Sequence, residues 1–161
     1  MIEFYYGISS MQEAKDLTRE VVDGLGGGEP AYRQIMEILC AETNCGTYPD
    51  KNPEKWDVGI CQFSEIALLD IQLEGEQRHF DIVKAIWGYD IQAVKIEDLA
   101  TDAKLAIICC RLKLKRVVKP IPKTLHNRAY YWKRYYNTKA GDGTIGHYLK
   151  LVKVCLGDEW Q

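Results

Sequence analysis

The chain has 161 residues, 47% of them hydrophobic and 11% aromatic, with a formal net charge of -2 at pH 7. This length supports one substantial core but is short for two, so we expect a single domain over residues 1–161. Low-complexity runs, long blocks of like charge and fixed-period repeats are absent, which excludes disordered, coiled-coil and solenoid classes. Without a secretory signal or a transmembrane run, the sequence predicts a protein made and kept in a cytoplasm.

The small net charge hides an uneven distribution along the chain. Residues 1–100 contain 8 Lys and Arg against 19 Asp and Glu, a net -11, whereas residues 101–161 contain 13 against 4, a net +9. The basic part either faces an anionic polymer, such as cell-wall glycan or nucleic acid, or attracts the acidic part across a cleft.

The first two predicted elements are helices. A capping-box pattern runs from Ser10 to Glu13, apolar residues follow at helical spacing, and residues 26–28 are three glycines that end the pattern. The second helix carries Pro30 in its first turn and ends at residues 44–46.

Glu42 lies near the end of this second helix, at a spacing that places it on the apolar face with Ile35, Ile38 and Leu39. Burial of a charged carboxylate is costly, and the negative end of the helix dipole also disfavours it. Both effects raise the pKa of a carboxyl group, which is what a general acid needs near neutral pH.

The rest of the chain is predicted to be mostly helical. Residues 46–57, with Gly59, indicate a loop or a short irregular β-ribbon. Thr101, Thr124 and Thr144 are predicted helix N-caps. Further helices are predicted over residues 64–73, 77–87, 101–116, 124–136 and 144–156. The expected fold class is therefore mainly α (α+β), with a loop or ribbon insertion beside a cleft.

Three short stretches carry the functional hypothesis. They are Glu42-Thr43 with Gly46, then Gly59-Ile60-Cys61-Gln62-Phe63, then Tyr135-Tyr136-Asn137 followed by Ala140-Gly141. In this order they resemble the motifs of the soluble lytic transglycosylase and goose-type lysozyme superfamily, over about residues 30–155. Two departures are Cys61, where methionine is usual, and the inserted Thr138-Lys139.

The resemblance implies a lysozyme-like fold and cleavage of peptidoglycan between N-acetylmuramic acid and N-acetylglucosamine. Glu42 matches the catalytic acid of the family and Gln62 the glutamine that lines the cleft. Tyr136 and Asn137 match the family's tyrosine and asparagine, and we expect both to bind sugar. Thr43 and Gly59, which belong to the same stretches, are further predicted substrate contacts. The short chain fits a bacteriophage tail lysin or endolysin that acts at the bacterial cell wall, with phage tail or virion proteins as partners.

Two mechanisms stay open at this point. A glycosidase with two carboxyl groups needs them roughly 5–9.5 Å apart, and Asp50, Asp57 and Glu65 are the candidates for the second group. By resemblance, a lytic transglycosylase uses one Glu as acid and then as base, and the sugar's own 6-hydroxyl closes an anhydro ring. Ser64 stands where some goose-type enzymes have Asp, which favours the single-acid mechanism.

Other interpretations are weaker but specific. Tyr136 could be a core residue and Asn137 a helix cap. The main alternative function is a non-catalytic virion structural or adaptor protein with a lysozyme-like fold. The basic run 111–116 also invites a nucleic-acid function, but at helical spacing Leu112 continues a buried stripe and the Lys and Arg heads are expected in solvent, so no nucleic-acid partner is predicted.

No metal or cofactor site is predicted. His79, His126 and His147 have no partner at ligand spacing. The six cysteines lack the CxxC pairs of a zinc site, and we expect most of them to be buried thiols. A Cys40–Cys45 disulfide is left open by the sequence.

Overall fold

The computed structural model describes residues 1–50, 57–137 and 143–161. It is 65% helical, with seven α-helices and one two-stranded sheet in the described residues, so the predicted mainly α class is confirmed. The helices are α1 (Met11–Leu25), α2 (Gly28–Thr43), α3 (Glu65–Glu74), α4 (Gln77–Trp87), α5 (Ala103–Lys115), α6 (Leu125–Tyr131) and α7 (Ile145–Leu156). Within the described ranges, every helix is too short or too polar to cross a bilayer.

Helix α2 runs through the centre of the molecule and packs against α1, α5 and α7. Eleven of its 16 residues are buried, so its apolar surface extends well beyond the single face that its spacing predicts. Gly28, which the sequence indicated as a terminator of the first helix, is instead the first residue of α2. The last turn of this core helix carries Glu42, which keeps part of its surface exposed.

Most predicted N-caps are confirmed. The Ser10 hydroxyl accepts from the Glu13 N–H at 3.0 Å, and Thr124 and Thr144 cap α6 and α7 in the same way. The predicted cap Thr101 is wrong, because α5 begins later and Asp102 accepts from the Leu105 N–H at 3.1 Å. An Asp side chain is at least as good an acceptor in this position as a Thr side chain.

The helix predicted over residues 124–136 changes its hydrogen-bond pattern partway along. The α-helical part ends at Tyr131, and Trp132–Asn137 continues as a π-helix. Both Trp132 and Tyr136 are buried on the inner side of this π-helix. Such π segments often mark functional positions, because the wider turn changes where side chains point.

A short antiparallel ribbon follows the loop after α2. Strand β1 (Asp57–Val58) pairs with β2 (Phe63–Ser64), which confirms the predicted ribbon at this end of the loop. Gly59 begins the connecting turn with a φ of +81°, and a Cβ there would lie 2.3 Å from the Leu99 carbonyl oxygen. Only glycine fits this approach. The predicted loop residues 51–56 lie outside the described residues.

A buried ion pair connects α2 to α6 and α7. Glu37 and Arg128 are both fully buried, and the Arg128 Nη2 lies 2.7 Å from the Glu37 Oε2. Tyr148 and Trp160 each donate a further hydrogen bond to the same carboxylate at 2.7 Å. The charge on Glu37 is therefore fully partnered, as a buried charge requires.

All six cysteines are free thiols, so the Cys40–Cys45 disulfide is not formed. Five of them are buried, as the sequence predicts. Cys155 is the partly exposed one, and its Sγ lies 2.7 Å from the Asn44 Oδ1.

Candidate functional site

Glu42 is held at the end of α2 by a contact with the π-helix. Its Oε1 accepts a hydrogen bond from the Trp132 Nε1 at 3.3 Å. Unlike Glu37, Glu42 has no Lys or Arg within ion-pair distance among the described residues. The sequence did not single out Trp132 as a site residue, because its spacing is that of an ordinary core aromatic.

The surroundings of Glu42 raise the pKa of its carboxyl group to about 7. Removal of the charged form from water is the main cause, and the negative charge of Asp57 adds to it. The Trp132 hydrogen bond and the positive charge of Lys113 act in the opposite direction. A carboxyl group with this pKa holds its proton on about half of the molecules at neutral pH, so it can serve as a proton donor.

Lys113 of α5 lies beside this group. Its Nζ donates to the Tyr136 carbonyl at 3.0 Å and lies 3.9 Å from the centre of the Tyr136 ring and 5.7 Å from that of Phe63. Burial lowers the pKa of Lys113, while the charges of Glu42 and Asp57 raise it in part. The expectation that the basic heads of 111–116 all lie in solvent is therefore wrong for Lys113, and also for the buried Arg111.

Hydrogen bonds join the three sequence stretches around Glu42. The Thr43 hydroxyl lies 2.9 Å from the Ile60 carbonyl, and the Tyr136 hydroxyl donates to the next carbonyl, that of Cys61, at 2.8 Å. With the contact between Trp132 and Glu42, these bonds tie α2, the ribbon turn and the π-helix into one unit. The order of motifs in the sequence thus corresponds to a real cluster in space.

Three of the predicted substrate contacts occupy supporting positions. Thr43 is 1% exposed, and its oxygen also accepts from the Gly46 N–H at 3.0 Å. Tyr136 is likewise buried, with its hydroxyl used inside the protein, in agreement with the core interpretation of this residue. Gly59 is buried against Leu99. These three residues fix the shape of the site and do not present free polar groups to a ligand.

Gln62 is better placed for contact with a ligand. It is half-buried and adopts a left-handed φ of +47°, a conformation that costs about 1 kcal/mol for a residue other than glycine. Its Nε2 donates to the Gly59 carbonyl at 3.1 Å, while its amide oxygen accepts no hydrogen bond from the described residues. Local strain of this kind is common at functional sites.

Asn137 ends the π-helix and is half-buried. Its Oδ1 accepts from the Lys133 Nζ at 2.8 Å. Gly143 approaches the same region, because a Cβ there would lie 2.5 Å from the Trp132 ring and 3.2 Å from the Asn137 Nδ2. The predicted Ala140-Gly141 element lies outside the described residues.

The three predicted second carboxylates differ in their relation to Glu42. Asp57 is exposed on β1, and its charge acts on both Glu42 and Lys113. Asp50 acts instead on Tyr6, where it adds to the effect of burial in raising the pKa to about 12. Glu65 is exposed in the first turn of α3. Of the three, Asp57 is the carboxylate that couples to the candidate acid.

Comparison with known proteins finds no matching family model, no similar curated protein and no similar solved structure. The case for a function therefore depends on the side chains around Glu42. They define the class of site, a carboxylic acid with a raised pKa. The Trp132 indole N–H donates a hydrogen bond to this acid, Glu42, and the Lys113 ammonium group lies nearby.

Proposed function

We propose that this chain cleaves peptidoglycan glycan strands between N-acetylmuramic acid and N-acetylglucosamine, with Glu42 as the catalytic acid. The observation that carries the proposal is the raised pKa of Glu42, a partly buried carboxyl group without an ion-pair partner in the described chain. Its support is the clustering of the motif residues that resemble those of lytic transglycosylases and goose-type lysozymes. The proposal includes a lysozyme-like cleft beside Glu42.

In this mechanism, protonated Glu42 delivers its proton to the glycosidic oxygen as positive charge develops on the sugar. The carboxylate that remains is stabilised by the Trp132 N–H and by the charge of Lys113, which makes release of the proton easier. The amide oxygen of Gln62, which has no donor among the described residues, accepts from a sugar N-acetyl N–H or hydroxyl group. Asn137 is a second amide for sugar contact, next to the aromatic support of the acid.

The single-acid mechanism is the one that we propose. Ser64, in the position where a goose-type Asp would provide a second carboxylate, instead caps α3 by accepting from the Ala67 N–H at 3.1 Å. Asp57 raises the pKa of Glu42, so its proposed role is to keep the acid protonated. The sugar 6-hydroxyl then attacks, with the Glu42 carboxylate as its base, and the product is an anhydro sugar.

Digestion of purified peptidoglycan followed by mass spectrometry tests both parts of the proposal. We expect the wild type to release anhydro muropeptides, which are lighter by one water than hydrolysis products. Glu42→Gln should lower the rate by about 100-fold or more, because general acid catalysis is lost. Asp57→Asn should retain the anhydro product, and Glu159→Gln, a change at an exposed carboxyl that is not a candidate site residue, serves as the control.

Two outcomes would count against this proposal. Reducing-end products that disappear in Asp57→Asn would indicate a hydrolase with two carboxyl groups. Absence of any cleavage by the wild type, with Glu42→Gln identical to it, would favour the non-catalytic virion protein. We further propose that the enzyme acts at the bacterial cell wall as a phage tail lysin or endolysin.

A further inference from the structure

Three thiols lie close together where the end of α2 packs against α7. Cys40 is buried in the last turn of α2, and Cys45 is buried just after that helix. Cys155, in the last turn of α7, is the partly exposed member. Its Sγ donates to the Asn44 Oδ1 at 2.7 Å, while the Cys45 Sγ lies 3.4 Å from the Met11 Sδ. Two of these thiols are therefore covered by protein, and one can be reached by a reagent in solution.

The alignment of α2 with α7 brings Cys155 next to Cys40. The Tyr148 hydroxyl donates to the Glu37 Oε1 at 2.7 Å, and seven residues further along each helix the Cys155 thiol contacts Asn44. The two helices thus run side by side in the same direction. Cys40 lies one turn before Asn44, whose N–H donates to the Cys40 carbonyl at 3.0 Å. Because helical side chains point back toward the N-terminus, the Cys155 thiol reaches toward that of Cys40, within hydrogen-bonding distance.

This contact makes the two thiols chemically different. A hydrogen bond from Cys40 lowers the pKa of the Cys155 thiol, and partial burial acts in the opposite direction. The pKa of Cys40 is raised well above its ordinary value, chiefly by burial. The thiolate is the nucleophilic form of cysteine. Cys155 is therefore the thiol that reacts first, with a protonated thiol beside it.

The cysteines elsewhere in the core provide an internal comparison. Cys61, Cys109 and Cys110 are each 0% exposed. Burial also raises the pKa of Cys61 and of Cys109. Access and thiolate character together decide which cysteine is oxidised. Both favour Cys155 over these three residues in the folded protein.

We propose that Cys155 and Cys40 form a thiol pair that hydrogen peroxide oxidises to a disulfide between α7 and α2. The Cys155 thiolate attacks one peroxide oxygen, an S–O bond forms, the O–O bond breaks, and the leaving hydroxide takes up a proton to become water. The Cys40 sulfur then attacks the sulfenic sulfur of Cys155, an S–S bond forms, and a second water leaves. The two sulfur atoms lose two electrons in total, and these reduce one peroxide to two waters.

The disulfide would join α7 to the turn of α2 that carries Glu42. It closes a loop from residue 40 to residue 155, which includes most of the chain. A disulfide across a long loop restricts the unfolded chain, so the oxidised protein should melt about 10 °C higher than the reduced protein. The thiol pair itself does not depend on the proposed glycan cleavage.

Peroxide treatment of the folded protein, followed by peptide mapping with mass spectrometry, tests the pair. We expect one main product, lighter than the reduced protein by two hydrogen atoms, in which the peptides of Cys40 and Cys155 are joined. A phosphine reductant should restore both thiols. In the reduced folded protein, iodoacetamide should alkylate Cys155 at least about tenfold faster than Cys109.

Three alanine variants separate the roles of the thiols. Cys155→Ala should lose the disulfide and the gain in melting temperature. Cys40→Ala should stop at the Cys155 sulfenic acid, which dimedone traps. Cys45→Ala removes the third, neighbouring thiol, and this control should still form the disulfide between Cys40 and Cys155. Since Cys155 is only partly buried, its variant keeps the test valid even where Cys40→Ala fails to fold.

The pairing is overturned if peroxide yields a disulfide that includes Cys45, or if it oxidises the wild type without any cross-link. Equal alkylation rates of Cys155 and Cys109 would overturn the assignment of Cys155 as the reacting thiol. Glu42→Gln should form the same disulfide as the wild type. Failure of the glycan-cleavage proposal and failure of the thiol-pair proposal are therefore separate results.

Discussion

Two glutamates of α2, five residues apart, are in opposite electrostatic situations. Glu37 is paired with the buried guanidinium of Arg128 and receives two further hydrogen bonds. Among the described residues Glu42 receives only the longer bond from Trp132, and burial is the main influence on its pKa. The contacts of Glu37 stabilise its charged form inside the core. The burial of Glu42 instead favours its protonated form.

The raised pKa of Glu42 predicts a loss of stability as the pH rises from about 4.5 to about 7. In the folded protein this group holds its proton up to about pH 7, whereas in the unfolded chain it loses its proton near the ordinary pKa of 4.5. The folded state therefore binds more protons between these values, and stability falls as pH rises through this window. Glu42→Gln should remove this loss and stabilise the protein by about 3 kcal/mol at pH 8.

Urea unfolding at pH 4 and pH 8 measures this effect. The gain for Glu42→Gln should be present at pH 8 and small at pH 4, where the wild-type group is protonated in both states. Glu159→Gln, an exposed carboxyl change, is the control and should show neither. An equal effect of Glu42→Gln at the two pH values would contradict the assignment.

Lys113 and Asp57 should move the pKa of Glu42 in opposite directions. Lys113→Met removes a positive charge that favours the carboxylate, so the pKa should rise. Asp57→Asn removes a negative charge that disfavours the Glu42 carboxylate, so the pKa of Glu42 should fall. We expect about half a pH unit or more in each case. NMR titration of the ¹³C-labelled Glu42 carboxyl group measures its pKa independently of activity. A pKa change of the same sign in both variants would contradict the opposite effects assigned to Lys113 and Asp57.

At the scale of single elements, helix starts could be predicted because a cap is a local contact. Ser10, Thr124 and Thr144 each bond to an N–H three residues further on, which a sequence pattern expresses directly. The change to a π-helix at Trp132 could not be predicted in this way. It accompanies contacts of Trp132 with α2 and of Tyr136 with the ribbon turn, which lie far away in the sequence.

The candidate site was predictable in part for the same reason. Glu42 stands out because a carboxylate among apolar helical positions is unusual in any fold. Lys113 does not stand out, since a lysine on a basic helix normally reaches solvent, and only the packing of the π-helix and the ribbon against α5 buries it. Sequence spacing indicates which side chains share a face but not which faces become covered.

The ribbon turn offers a test with a matched control. Gly59 and Gly88 have nearly equal φ values, +81° and +79°, so an alanine would have to adopt a left-handed φ at both positions. A Cβ at Gly59 also meets the Leu99 carbonyl oxygen at 2.3 Å, whereas at Gly88 it meets nothing within 4 Å. Gly88→Ala should cost about 1 kcal/mol and Gly59→Ala about 3 kcal/mol or more.

Thermal or urea unfolding of the two glycine variants provides the comparison. Similar losses of stability in the two variants would mean that backbone strain alone is responsible. Contact between the new Cβ and the Leu99 carbonyl oxygen would then have no cost. The Gly59 variant should also lose the fixed position of Gln62, because the Gln62 side chain donates to the Gly59 carbonyl.

For the whole molecule, the uneven charge distribution has a structural counterpart. Lys104 pairs with Glu20, Arg116 with Asp70, and Arg128 with Glu37. In each pair the acid comes from residues 1–100 and the base from residues 101–161. Attraction between the two parts of the chain thus accounts for some of the asymmetry, as one of the two interpretations from sequence expects.

These cross-connections predict that the chain unfolds as one unit. Helix α1 packs on α2, α4 and α5, while α2 also contacts α7, so early and late segments share one core. No boundary with few contacts separates the described parts of the chain. Scanning calorimetry should therefore give one transition with a ratio of calorimetric to van't Hoff enthalpy near one, and an unfolding enthalpy of about 110 kcal/mol at 60 °C.

Substitution of Arg128 in the buried ion pair with Glu37 provides a second test of unfolding in a single transition. Arg128→Met leaves an unpaired buried carboxylate and should cost about 3–5 kcal/mol. Because the pair lies in the shared core, the variant should melt at a lower temperature but still in a single transition. Two resolved transitions, in the variant or in the wild type, would instead mean that α6 and α7 form a unit that is stable apart from the rest.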